Sequence, residues 1–99
     1  MLYVLVGEDA PDSLEKRVAA RPAHLARLQV LQAEGRVVLG GPMPSIDTPD
    51  PGPAGFSGSL IVAEFDSLTA AQTWLADDPY VSAGVFATTW VRPFKQVLP

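Results

Sequence analysis

Apolar residues run almost unbroken from Leu2 to Gly7 (LYVLVG), and β-branched and aromatic types dominate the run. It predicts a central strand covered on both faces, or on one face and an interface. Glu8 to Asp12 reads as a turn, and Asp12 and Ser13 compete to cap the helix that follows. From Leu14 to about Glu34 the rhythm is helical. Leu14, Val18, Leu25 and Leu28 form an apolar stripe, and Gly35 supplies the stop. Arg17, Arg21, His24, Leu28 and Leu31 step by four, three, four and three residues, so they share one helix face. Pro22 removes a hydrogen bond and crowds the carbonyl four residues back, which predicts a kink or a break near Arg21. After a break, Pro22 would take the first helical position. His24 would then lie in the first turn, where the helix dipole favours a neutral, basic imidazole.

Arg36 to Leu39 (RVVL) predicts a second strand, ended by Gly40-Gly41-Pro42. Pro42 to Phe56 holds half of the ten prolines and reads as a long loop that cannot pair. Ser59 to Phe65 is a third strand. Ser67 caps a short helix with Leu68, Ala71, Trp74 and Leu75 on one side, and Asp78-Pro79 ends it. Tyr80 to Ala83 is one helical turn closed by Gly84. Val85 to Val91 is a fourth strand whose pairing Pro93 ends, and the tail PFKQVLP is expected to run along a surface or a partner.

The order β-α-β-β-α-β predicts one ferredoxin-like α+β domain over residues 1–99, a four-stranded antiparallel sheet with both helices on one face. Both strand faces are apolar, as in Leu60 and Val62 against Ile61, Ala63 and Phe65. Two helices cover one face only, so the other predicts a homodimer that packs sheet against sheet.

Composition narrows the function. At 47% hydrophobic and 18% charged, the 99 residues form a globular chain. There is no cysteine and a single histidine, which argues against disulfides, thiolate zinc and an all-protein transition-metal site; no cofactor is indicated. The net charge of −4 argues against nucleic acid as a partner. No apolar run approaches the ~20 residues of a membrane span, and MLYVLVG is too short for a signal peptide, so a soluble, cytoplasmic protein is expected. Yet Lys16, Arg17, Arg21 and Arg27 crowd the first helical region. Charge runs are usually solvated faces; here the alternative is a cationic wall that binds a small anion such as a carboxylate.

His24 is the one side chain whose ordinary titration lies near neutrality. A lone histidine is more often structural, unless a carboxylate meets it. Asp77 and Asp78 are the candidates, since the two helices of this fold lie side by side. Pro79 holds Asp78 in extended backbone, away from its own helix. A His–Asp pair with no nucleophile elbow points to proton transfer, the carboxylate fixing the imidazole tautomer. Arg21 and Arg17 would bind an anionic group or a developing enolate oxygen. Ser57, Ser59 and Thr88 stand on strands where they can orient a substrate. Asp47 and Asp50 lack calcium-loop spacing.

RPAHLARL (Arg21 to Leu28), GGPMP (Gly40 to Pro44), AGFSGS (Ala54 to Ser59) and DPYVSAGV (Asp78 to Val85) resemble the YciI-like proteins; SLEKR (Ser13 to Arg17) and VRPFKQV (Val91 to Val97) match as well. The resemblance covers essentially the whole chain. It implies a dimeric α+β barrel, in the superfamily that includes muconolactone isomerase, and an active-site His–Asp pair that falls on His24 and Asp78. Relatives with this dyad include a dehydrochlorinase acting on chlorinated hydroxyhydroquinone. The expectation is a small-molecule enzyme that isomerises or eliminates next to a carbonyl, on a small cyclic or aromatic acid or lactone. The competing expectations are a non-catalytic small-molecule binding or accessory module, and a dyad that is purely structural.

Overall fold

The structure, a computed structural model, describes residues 1–99. Strand β1 (Leu2–Asp9) leads to helix α1 (Leu14–Ala33) and strand β2 (Val37–Pro44); strand β3 (Phe56–Glu64), helix α2 (Leu68–Ala76), the short helix α3 (Pro79–Ser82) and strand β4 (Phe86–Phe94) follow. The strands form one sheet in the order β2-β3-β1-β4, with every neighbouring pair antiparallel. This is the ferredoxin-like α+β fold that the element order predicts.

The buried core lies between the sheet and the helices. Tyr3, Leu5, Ile61 and Ala63 point from the central strands toward Leu31, Ala71 and Leu75. The period of two sends the alternate residues to the other face. There Val4 pairs with Val62, Val6 with Leu60 and Trp90, and Leu2 with Phe94. Nothing in the chain covers that face, and Leu39, Trp90 and Phe94 remain exposed.

Four expectations need correction. Helix α1 runs without a break through Pro22. Both Pro22 and Val18, whose carbonyl loses its helical partner, are solvent-exposed, so the helix continues past the proline on its exposed side. His24 is therefore far from the helix terminus, and the dipole effect expected of a new first turn does not arise. Val18 is exposed and leaves the apolar stripe; the residues of α1 that are buried are Arg17, His24 and Leu31.

Strand β2 does not stop at Gly40-Gly41-Pro42 but continues to Pro44, with Pro42 opposite Ser59 and register shifts at Val37/Leu39 and Met43/Pro44. Nor does Pro93 end β4, since it pairs with Tyr3. Both are edge strands, where a proline's missing donor can face away from the ladder. The proline-rich loop shortens to residues 45–55, and the Ser45 N–H donates to the Gly55 carbonyl at 2.9 Å, closing its base. Residues 95–99 form no strand or helix, and Val97 and Leu98 are exposed.

One glycine positions the site. A Cβ on Gly7 would fall 2.4 Å from the Phe86 ring, so only glycine lets that ring lie against β1. Phe86 in turn meets Tyr80 edge to face, with centroids 5.4 Å apart.

Candidate active site

Asp78 is fully buried and caps α3: its Oδ1 accepts from the Tyr80 backbone N–H at 2.8 Å, and Pro79 takes the first helical position. Aspartate followed by proline is thus a helix start as well as a helix stop. The cap aims the same carboxylate at α1. His24 Nδ1 lies 2.9 Å from Oδ1 and 3.0 Å from Oδ2, and Arg27 Nη1 donates to Oδ2 at 3.1 Å. Three donors surround a carboxylate that water does not reach, so its charge is compensated within the protein.

The carboxylate faces Nδ1, so a neutral His24 carries its proton there and keeps its lone pair on Nε2. Nε2 has no protein partner, and no buried side-chain nitrogen or oxygen is left unpaired, so Nε2 retains accessible surface. It borders a cavity of about 170 Å³ between α1 and the edge strand β2, whose walls include Arg21, Leu28, Gly40, Ser59 and Tyr80. His24 is 6% exposed, and its imidazole stacks on Tyr80, with centroids 3.9 Å apart and planes 12° from parallel.

The two predicted arginines differ. Arg17 borders the cavity but is locked: it grips Asp9 with two hydrogen bonds of 2.8 and 2.7 Å and donates to Ser59 Oγ at 3.0 Å. Asp9 pairs with its charge and holds the guanidinium against the Ser59 hydroxyl in the cavity wall. Arg21 is exposed at the rim and belongs to no ion pair, so it is the free cation of the cavity. Asp77 is exposed at the end of α2; Ser57 bonds to the Met43 carbonyl and Thr88 to Glu8, and neither borders the cavity.

Sequence reasoning passed over Arg27, Tyr80 and Asp9 as site residues. Arg27 follows His24 by three positions, a spacing that places both on one helix face. Its other nitrogen donates to the Trp74 carbonyl at 2.8 Å, tying α1 to α2. Asp9 sits at a register shift in β1, which no local pattern announces. A wider, more open depression of about 760 Å³ lies between the start of α1 and the loop 45–55, lined by Asp9, Asp12, Glu15 and Phe56. It contains no histidine; His24 borders the smaller cavity.

Burial raises the Tyr80 pKa above its ordinary 10.0; the charges of Arg17 and Arg21 oppose this in part, and that of Asp78 adds to it. A raised phenol contributes stability that is complete below pH ~10 and is lost as pH rises through the folded-state value. Urea unfolding of the wild-type protein is expected to weaken above that pH more than unfolding of Tyr80→Phe does. Equal losses in both proteins would contradict it.

The comparisons with known proteins show the family and the fold. The YCII-related domain matches residues 1–95. Protein YciI of Escherichia coli O6:H1 is 60% identical over 97 residues, covering 98% of this chain and 99% of that protein. An uncharacterized protein of Haemophilus influenzae is 54% identical over the same length and coverage. Among solved structures, the 5-chloro-2-hydroxyhydroquinone dehydrochlorinase TftG of Burkholderia phenoliruptrix AC1100, in complex with 2,5-dihydroxybenzoquinone, superposes with a TM-score of 0.83 at 32% identity, covering 96% of this chain and 94% of that one. An antibiotic biosynthesis monooxygenase shares the fold alone, at a TM-score of 0.51 and 14% identity over 99% of this chain and all of its own. The chain is a member of the YCII-related family.

Proposed function

We propose that the protein is a small-molecule enzyme that moves a proton next to a carbonyl, with His24 as the base and Asp78 as the residue that orients it. The observation that carries this reading is the asymmetry of one ring: Nδ1 is held by a buried carboxylate, while Nε2 is open to a cavity. Nε2 would take a proton from carbon, and the C–H electron pair would pass into an enolate. Arg21 stands at the rim as the cation nearest to hand for that charge. Returning the proton to another carbon completes an isomerisation. Expelling a leaving group from the neighbouring carbon completes an elimination.

The cavity sets the scale of the substrate. A cavity of roughly 150 Å³ admits one benzene ring, so about 170 Å³ suits a small cyclic or aromatic acid or lactone. That the similar dehydrochlorinase binds 2,5-dihydroxybenzoquinone supports a hydroxylated ring. The test is a panel of lactones and chlorinated hydroxyhydroquinones with wild type and His24→Gln. Turnover that disappears in the variant while binding of 2,5-dihydroxybenzoquinone persists supports the enzyme. Binding without turnover across the panel supports a non-catalytic binding module instead.

We infer further that two copies pair through the uncovered sheet face, which exposes Leu39, Trp90 and Phe94 beside the strand residues Val4 and Leu60. Burying such a face is worth ~25 cal/mol per Å² of apolar surface. Sedimentation is expected to give a dimer for the wild type and a monomer with unchanged circular dichroism for Trp90→Glu. A wild-type monomer would contradict it.

A further inference from the structure

We infer that the Tyr80 hydroxyl is a hydrogen-bond donor to the oxygen on which charge develops, and that the cavity therefore selects planar ring molecules bearing an ionised enol beside the reacting carbon. The inference rests on the proton-transfer reading of His24.

Four features support it. Tyr80 is 1% exposed, one of the most deeply buried side chains of the protein, yet it forms part of the cavity wall. No buried polar side-chain atom is left without a partner, so the little surface that Tyr80 keeps lies at its hydroxyl. The Arg17 Cζ lies 4.8 Å from the ring centroid. A guanidinium only donates: Arg17 bonds to Asp9 and Ser59 and also lies within donating reach of the phenol oxygen, but it cannot accept the phenolic proton. The Asp78 oxygens already accept from His24, Arg27 and the Tyr80 backbone. The phenolic O–H is thus a donor whose acceptor the chain does not supply.

Stacking then places this donor. The Tyr80 and His24 rings lie 3.9 Å apart and nearly parallel, and both residues line the cavity. A ring lying against them can offer a C–H to Nε2 and a neighbouring oxygen to the phenol. Burial pushes the Tyr80 pKa up, which favours the protonated phenol and suits a donor. No proton leaves Tyr80: Nε2 receives the carbon-bound proton, the C–H electron pair moves toward oxygen, and the phenol hydrogen-bonds to the resulting enolate. Arg21 at the rim provides the matching charge.

The probe is tropolonate, a planar ring with adjacent oxygens and one negative charge that has no leaving group. Its binding to the full chain is measured by calorimetry beside toluene, which has the ring without the oxygens. Tyr80→Phe keeps the stack and removes the hydroxyl. It is expected to weaken tropolonate roughly ten- to hundred-fold, the usual worth of a hydrogen bond to a charged group, and to leave toluene unchanged. Equal binding of tropolonate by both proteins overturns the inference, as does an equal loss of both probes, or a wild type that does not bind tropolonate. In the unaltered protein, one of the two tyrosine ¹³Cζ signals is expected to shift when tropolonate is added; no shift overturns the inference even if the variant does not fold. Because these readouts need no turnover, a failed substrate panel leaves them intact. Conversely, a silent Tyr80 leaves the His24 result standing.

Discussion

Asp78→Ala is expected to lower the unfolding free energy by about 3–5 kcal/mol, the range for breaking a buried, hydrogen-bonded ion pair. The carboxylate is fully buried and is the meeting point of three elements. It caps α3 through the Tyr80 N–H, holds His24 of α1 and accepts from Arg27, which also grips α2 at Trp74. Alanine leaves all three donors without an acceptor and the guanidinium without its counter-charge. For a domain with a total stability of roughly 5–15 kcal/mol, that is a large fraction. The urea midpoint is expected to fall accordingly, with an unchanged denaturant slope. Asp78→Asn retains one oxygen for the α3 cap and is expected to lose less. A fall below about 1 kcal/mol for Asp78→Ala would show that these contacts carry little stability, and the site would have to be described as loose.

The second large effect falls on turnover. With any substrate that the protein converts, His24→Gln is expected to reduce kcat by about 10²–10⁴, the usual contribution of a positioned base. Glutamine keeps a polar group of similar reach and can still hydrogen-bond Asp78, so stability should change far less than in Asp78→Ala. Asp78→Asn should also reduce kcat, because an amide can hold the wrong imidazole tautomer. If His24→Gln raises KM but spares kcat, the histidine binds the substrate and does not take its proton. Comparing unfolding and turnover in the same variants separates a structural dyad from a working one.

Much of this arrangement was legible along the chain. The near-continuous apolar runs at Leu2–Gly7 and Ser59–Phe65 mark the two central strands, each of which has a hydrogen-bonded neighbour on both edges. Helical spacing puts Arg17, His24 and Leu31 on the buried face of α1. Pro79 foretells the extended backbone that aims Asp78, whose φ and ψ are −68° and 139°. The prolines misled where their effect depends on position in the sheet. Pro42 and Pro93 break a central strand but not an edge, and which strand is an edge is a property of the whole fold. Pro22 is tolerated because its side of α1 faces water, which local sequence does not state.

The charges were harder to read than the apolar pattern. Four basic residues in one region look alike, yet each has a different neighbourhood once folded. Arg17 meets Asp9, which lies at the end of β1 across the turn into α1, and Arg27 meets Asp78 from a distant helix. Arg21 is left without a partner at the rim of the cavity. One of these pairs spans eight residues and the other 51, and both depend on how the elements fold back on each other, so residue spacing identifies the cationic face but not its free member.

The most direct test of the central claim is the ¹⁵N NMR spectrum of the His24 ring, recorded above its titration so that the imidazole is neutral. The chain has one histidine, so the assignment is unambiguous. A proton on Nδ1 and a bare Nε2 are predicted, since Asp78 faces Nδ1 and Nε2 borders the cavity. A proton on Nε2, or rapid exchange between the two tautomers, would contradict the dyad and with it the assignment of His24 as the base.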